Sequence, residues 1–346
     1  MNDLMVEIRT DEPITTADTA NLTPEDARSL HDWAGVEVGE DPVRVVVMDS
    51  GIHEDVVANH PWFDGVDVVE RYDATGTGTG GDAVGHGTGV ASIYAKNAPK
   101  VELIDVRIFG NKGRASWSTI RDAYEWLIDN ADEFDIVNMS WGSSENVPNI
   151  NALHDRLLDK GVHDVVAAGN TGSDGGSPAT ARTAFSAGAV DANGDLTRFS
   201  SSDPNRDNPD VSAAGQNVKM ARAPGTSMGT PLDEDFVKAS GTSFAAPYTG
   251  AAYVLGFHVA QTDWDTVFEK VAPDIPGTEG DGDGLLKLAP ALKKRGVEDN
   301  PEADVSNWSF VGNDVVYIDA DWIPDGVSTA VRTEDSDDSV TVRFEK

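Results

Sequence analysis

Lys238-Ala239-Ser240-Gly241-Thr242-Ser243-Phe244-Ala245-Ala246-Pro247 is a small-residue turn that enters an apolar run continuing through Gly250-Ala251-Ala252-Tyr253-Val254-Leu255. The pattern predicts a strand-to-helix turn, with a helix over Ser243–His258. A serine at such a turn exposes its Oγ, and its own N–H is an unpaired donor of the helix N-terminus. A nucleophilic serine needs that geometry, with an oxyanion donor beside it. A plain Ser/Thr N-cap would read the same way, so this stretch does not decide the chemistry alone.

Two other stretches bear on it. Val43-Arg44-Val45-Val46-Val47-Met48-Asp49-Ser50-Gly51-Ile52 reads as a buried strand of a parallel sheet. Asp49 lies at its carboxyl end, where open α/β sheets bind ligands. Gly85-His86-Gly87-Thr88-Gly89-Val90-Ala91-Ser92 places a histidine between glycines at the start of a small-residue helix. Each has an ordinary explanation by itself, as a turn aspartate or a helix-start histidine. Together with Ser243 they give the chain order Asp, His, Ser, one of the known orders of a serine-hydrolase triad.

These three segments resemble the active-site signatures of the subtilisin-like serine peptidases. The resemblance extends between them and runs from Asp41 to Lys294. Val137-Asn138-Met139-Ser140-Trp141-Gly142 is similar to that family's substrate-binding edge strand, and Gly113-Arg114-Ala115-Ser116-Trp117 to the segment across the cleft. Val165-Val166-Ala167-Ala168-Gly169-Asn170 resembles the strand that ends in the oxyanion asparagine. Pro209–Gly215 resembles the loop before the nucleophile, and Gly282–Leu292 the strand and helix that close the domain. The implied fold is α/β, a doubly wound and mainly parallel sheet with helices on both faces.

The implied reaction is peptide-bond hydrolysis through an acyl-enzyme. His86 would take the Ser243 proton, and Asp49 would hold the ring in one tautomer. The Ser243 N–H and the Asn170 side-chain amide would bind the oxyanion. Substrate would add as a strand between Ser140-Trp141-Gly142 and Asn111-Lys112-Gly113. Ala167, Ala168 and Gly169 would wall the primary pocket, with Gly176 as its floor. Asp82 is expected to be a solvated loop acid, the alternative being a partner for a basic substrate residue. A peptide ligase or macrocyclase would use the same acyl-enzyme. A non-catalytic peptide-binding relative would lack one of Asp49, His86, Asn170 or Ser243, and none is missing.

The chain departs from the family pattern in four places. Phe244 follows the nucleophile where many relatives have Met, and Gly89 replaces a common His. The helix after His86 reaches Asn97-Ala98-Pro99 without the inserted loop that carries a strong calcium site in many subtilisins. No cofactor is expected for catalysis, and any structural calcium would need another site. Only 42 residues of this sequence precede the Asp49 strand, so no full-sized inhibitory pro-domain is expected among them. The polar segment from Met1 to Asn21, with Pro13, is proposed instead to fold across the cleft; a disordered or surface-docked terminus is the alternative.

Composition sets further bounds. The 346 residues carry 60 acidic and 26 basic side chains, a formal charge of −34, which argues against nucleic acid as partner. Asp dominates the acids and Lys is scarce, a pattern similar to that of haloarchaeal proteins in molar salt. There is no cysteine, so disulfides are excluded. The first residues lack a basic patch and apolar core, and no apolar run approaches a membrane span. The expectation is a cytoplasmic monomer acting on peptides or proteins, or a secreted one if the chain is trimmed from a precursor. Residues 1–40 are expected to form an N-terminal segment, 41–294 the peptidase domain and 295–346 a small β-rich extension. Strands are predicted in that extension at Asp314–Ile318 and Ser339–Phe344. Within the peptidase domain strands are predicted at Val43–Met48, Val101–Phe109, Ile136–Met139 and Val165–Ala168. Helices are predicted at His86–Lys96, Trp117–Asn130 and Ile150–Leu158, besides the one at Ser243.

Overall fold

The run Val45-Val46-Val47-Met48 is fully buried, yet its side chains serve two different cores. Val43, Val45 and Val47 join one hydrophobic cluster, and Val46 and Met48 join the other. This is the period-two alternation of a strand covered on both faces.

The structure is a computed structural model, and it describes residues 5–7, 21–31, 33, 42–98, 100–202, 208–260, 284–287, 329–334 and 340–345. The strands are β1 (Met5–Glu7), β2 (Val43–Asp49), β3 (Asp67–Asp73), β4 (Val101–Arg107), β5 (Arg114–Ser116), β6 (Ile136–Met139), β7 (His163–Ala167), β8 (Ser186–Val190), β9 (Val211–Ala214), β10 (Val218–Ala221), β11 (Thr230–Pro231), β12 (Phe236–Ala239), β13 (Thr329–Glu334) and β14 (Val340–Glu345). The helices are α1 (Pro24–Leu30), α2 (Glu54–Asn59), α3 (His86–Asn97), α4 (Trp117–Asp129), α5 (Pro148–Leu158) and α6 (Thr242–Ala260). Seven strands form one sheet in the order β3-β4-β2-β6-β7-β8-β9, every pair parallel. Helices α3 and α6 pack on one face, α4 and α5 on the other. This is the doubly wound architecture that the alternating pattern predicts.

The predicted elements stand, with shifted ends. The fourth strand stops at Arg107 because the Ile108 and Phe109 N–H groups both turn to the Asp49 carbonyl, at 2.7 and 3.3 Å. Strands β8 and β9 escaped prediction because Ser-Ala-Gly-Ala-Val and Val-Ser-Ala-Ala carry few β-branched residues. Strand β3 escaped because it is a charged edge strand, Asp-Val-Val-Glu-Arg-Tyr-Asp. The Thr23-Pro24 helix start is real. Thr23 Oγ accepts the Asp26 N–H at 3.2 Å, and Asp26 accepts the Thr23 N–H at 3.0 Å. Leu22, Ala27 and Trp33 belong to the same core cluster as α3 and α6.

Strands β13 and β14 pair antiparallel as a small separate sheet. The expected strand at Asp314–Ile318 lies outside the described residues. Among those residues, no helix is long and apolar enough to cross a membrane.

Candidate active site

Asp49 is odd-numbered along β2, like Val45 and Val47, so its side chain faces the α3/α6 side. His86 opens α3, and there its Nδ1 lies 2.9 Å from both Asp49 carboxylate oxygens. Both side chains are fully buried. The neighbouring Ser50 N–H also donates to Asp49, at 2.6 Å, while the Ser50 Oγ accepts the Gly87 N–H at 2.9 Å. The helix can come this close because Gly87 has no side chain: a Cβ there would lie 2.4 Å from the Gly51 carbonyl. Asp49 and His86 are thereby fixed by backbone and side chain together.

Ser243 is the second residue of α6, and its Oγ donates to the Ser140 carbonyl at 3.0 Å. The His86 Nε2 is buried and has no hydrogen-bond partner. The imidazole is therefore oriented, and the Ser243 hydroxyl is held on a neighbouring carbonyl. The Phe244 ring packs 5.5 Å from the His86 ring. Gly89 leaves room for Met220 and Met228, whose side chains lie 3.2 and 3.3 Å from where a Cβ would stand.

Asn170 follows β7 and meets the start of α6. Its Oδ1 accepts the Thr242 N–H at 2.8 Å and the Thr242 hydroxyl at 2.9 Å. A backbone N–H can only donate, so the oxygen of the amide is identified and Nδ2 points away from Thr242. The Thr242 Oγ also accepts the Gly169 N–H at 3.1 Å. Thr242 thus ties the end of β7 to the turn that carries Ser243. Sequence reading passed over this residue, treating it as part of a small turn.

Asp82 is neither a solvated loop acid nor a substrate partner. It is buried and accepts five hydrogen bonds: from Ser50 Oγ at 2.9 Å, the Val84, Gly85 and Thr88 N–H groups at 3.0, 2.7 and 3.0 Å, and Thr88 Oγ at 2.7 Å. It shapes the turn into α3.

The expected substrate edges are partly occupied. Trp141 is buried, its ring packed near Phe109 and Tyr124, so that residue offers only its backbone. Asn111 Oδ1 accepts from Arg107 at 2.8 Å, and Lys112 is exposed. Gly113 lies beside Val84, two residues before His86. Strand β5, which continues this edge, is already paired antiparallel with β1: Met5 faces Ser116, Val6 faces Ala115 and Glu7 faces Arg114. Three residues of the segment expected to cross the cleft are therefore paired with the strand that follows Asn111–Gly113. Ala168 and Gly169 border the turn at Gly175 and Gly176. A Cβ on Gly176 would collide with the Ser143 carbonyl at 1.8 Å, so this turn closes against Ser143, next to Gly142.

A second buried His–Asp pair lies on the opposite face of the sheet. His154 Nε2 is 2.9 Å from Asp164, and His154 Nδ1 is 3.1 Å from the Tyr124 hydroxyl. Both of its ring nitrogens are engaged, whereas His86 keeps one available. Helix α3 runs unbroken from His86 to Asn97. Among the described residues no group of three or more His, Cys, Asp or Glu is placed to hold a metal.

A parallel sheet with an aspartate at its carboxyl edge, a histidine opening one helix and a serine as the second residue of another is the arrangement of the α/β serine peptidases. The family model for the subtilase family, Peptidase_S8, matches residues 40–267, and the chain belongs to that family. It is 30% identical over 230 residues to Subtilisin DY of Bacillus licheniformis, covering 62% of this chain and 76% of that one. It is also 30% identical over 246 residues to the serine protease AprX of Bacillus subtilis (strain 168), covering 59% of this chain and 54% of that one. Among solved structures, a lanthipeptide protease superposes with a TM-score of 0.66 at 19% identity, over 78% of this chain and 93% of its own. A cold-adapted subtilisin-like serine proteinase gives 0.58 at 23% identity, over 71% and 88%. At those identities the two structures speak for the fold alone.

Proposed function

We infer that the chain is a serine endopeptidase in which Ser243 attacks the scissile carbonyl, His86 takes and returns the proton, and Asp49 holds the imidazole. The observation that carries this reading is the His86 ring: Nδ1 is held 2.9 Å from Asp49, while Nε2 has no partner. An extended substrate adds its backbone to Ser140–Gly142 on one side and Asn111–Gly113 on the other. A substrate N–H pairing with the Ser140 carbonyl displaces the Ser243 hydroxyl, which then turns to His86. The Ser243 N–H and Asn170 Nδ2 receive the oxyanion, and His86 protonates the departing amine. Water then resolves the acyl-enzyme by the same route. The charge of −34 supports adaptation to high salt, where surface acids cease to repel one another.

The test is Ser243→Ala, assayed by mass on a peptide library in high salt. Loss of about 10⁴-fold or more in rate with an intact fold is expected. More than a tenth of the wild-type rate in this variant removes the nucleophile assignment. The product masses also separate hydrolysis from transfer to an amine.

A further inference from the structure

Pro247 sits inside α6, where it supplies no N–H to the carbonyl four residues earlier. That carbonyl belongs to Ser243. It is taken instead by the Ser140 hydroxyl, which donates to it at 2.7 Å. The Ser140 Oγ in turn accepts from Asn138 Nδ2 at 2.9 Å, and Asn138 Oδ1 accepts from the Tyr94 hydroxyl at 3.1 Å. All four residues are buried. Each group donates to the next, so the chain runs in one sense from the Tyr94 phenol on α3 to the main chain of Ser243 on α6. Bonds aligned in this way polarise one another in a low-dielectric interior.

The phenol has a place made for it. A Cβ on Gly250, two turns along α6 from Ser243, would lie 1.8 Å from the Tyr94 Oη and 2.7 Å from its ring. Gly250 and Tyr94 therefore fit each other, and no other described residue bonds the far end of the relay. Burial raises the Tyr94 pKa well above its ordinary range, so the group remains a donor.

Resting on the serine-peptidase reading above, we propose that Tyr94 is a positioning residue for catalysis: through Asn138 and Ser140 its hydroxyl fixes the Ser243 main chain, and with it the Ser243 N–H and Oγ. Ser140 holds both ends of the nucleophile, its Oγ on the Ser243 carbonyl and its own carbonyl on the Ser243 hydroxyl. A relay that sets the Ser140 hydroxyl thus sets the residue whose release starts the reaction.

The experiment is a double-mutant cycle of Tyr94→Phe and Ser140→Ala in the full chain, measured with a short peptide substrate and with a fluorophosphonate that labels the active serine. Tyr94→Phe is expected to lower kcat about tenfold, with KM within about twofold, and to slow labelling in parallel. In the Ser140→Ala background it should change neither by more than about twofold, because the link is already cut. Circular dichroism establishes that each protein is folded at the assay temperature. A folded Tyr94→Phe with wild-type kcat overturns the proposal, and so do fully additive effects, which a merely structural tyrosine would give. If Tyr94→Phe does not fold, Ser140→Ala alone decides: wild-type kcat there overturns the relay, and a tenfold fall with unchanged KM supports it. Wild-type protein that neither cleaves peptide nor labels at Ser243 would instead overturn the peptidase reading, and the relay with it.

Discussion

Asn170 is held by its oxygen, and that makes its nitrogen testable. Two donors from Thr242, at 2.8 and 2.9 Å, occupy Oδ1, so the oxyanion role proposed for this side chain falls to Nδ2. Asn170→Asp keeps the acceptor toward Thr242 and replaces the donor by a second oxygen. Asn170→Ala removes both functions at once. The two variants should therefore agree in activity and differ in stability. The loss of one oxyanion donor costs about 10²–10³ in kcat, roughly 2.7–4 kcal/mol, a figure carried over from subtilisin. KM should change little, because the contact forms in the transition state. For stability, Asn170→Ala leaves the Thr242 N–H and hydroxyl without their acceptor, costing about 1–3 kcal/mol, while Asn170→Asp should melt close to wild type. The assay is kcat and KM on an internally quenched peptide, with thermal melts of the same preparations. A loss that falls mainly on KM would make Asn170 a substrate-binding residue. An Asn170→Asp enzyme with more than a tenth of the wild-type kcat would refute the reasoning outright.

Three further outcomes are expected. Burial pushes the His31 pKa from 6.5 down to about 4; its Nδ1 faces the Leu286 carbonyl at 2.9 Å and its Nε2 accepts the Ala214 N–H at 3.0 Å. The unfolded chain binds the extra proton first, so this stability is whole above pH 6.5 and declines toward pH 4, by roughly 3 kcal/mol in all. Burial raises Asp105 to about 7 against the pull of Arg71, in the opposite sense, so the quantity to measure is wild type minus His31→Gln; a difference that does not vary between pH 4 and 7 refutes it. Folding and activity should both fail in dilute buffer, where the Debye length grows from about 3 Å at 1 M salt to about 30 Å; full ellipticity at low potassium chloride would end the halophilic reading. A chain starting at Asn21 should cleave a short peptide faster than the whole chain, because β1 no longer pairs with β5; equal rates from equally folded proteins would make the segment a plain tail.

Much of this was legible in the sequence because the deciding signals are local. The β-branched run ending in Asp49, the glycines around His86 and the small turn at Ser243 each dictate their own backbone. What was not legible depends mostly on partners far along the chain. Asp82 looked solvated although four of its five hydrogen bonds are local, because a turn-capping acid and a free loop acid read alike; only Ser50 reaches it from 32 residues away. Thr242 looked like filler because its partners, Gly169 and Asn170, arrive from β7. Tyr94 carries no such signal in the sequence, because the acceptor of its hydroxyl, Asn138, lies 44 residues away on β6. Strands β8 and β9 were missed for a different reason. Small residues let α6 pack tightly on them, and the same smallness removes the strand signal.

Strand parity and sheet direction separate the His–Asp pair of the proposed active site from the second pair. Asp49 and Asp164 both extend from strands of the same parallel sheet, and both meet a buried histidine at 2.9 Å. Asp164 shares the parity of Val166, which faces α4 and α5, and it is the second residue of β7. Its partner is His154, inside α5, and Tyr124 bonds the other ring nitrogen. That pair sits at the amino end of the sheet, where nothing is left to react. Asp49 shares the parity of Val47 and is the last residue of β2, so it emerges at the carboxyl edge, where ligands of open α/β sheets bind. There it meets the first residue of α3, and Ser243 is the second residue of α6, whose next side chain, Phe244, packs on His86. A one-residue slip in the register of β2 would turn Asp49 toward the α4/α5 face and away from His86. The buried valines that pin this register therefore also set the direction of the carboxylate.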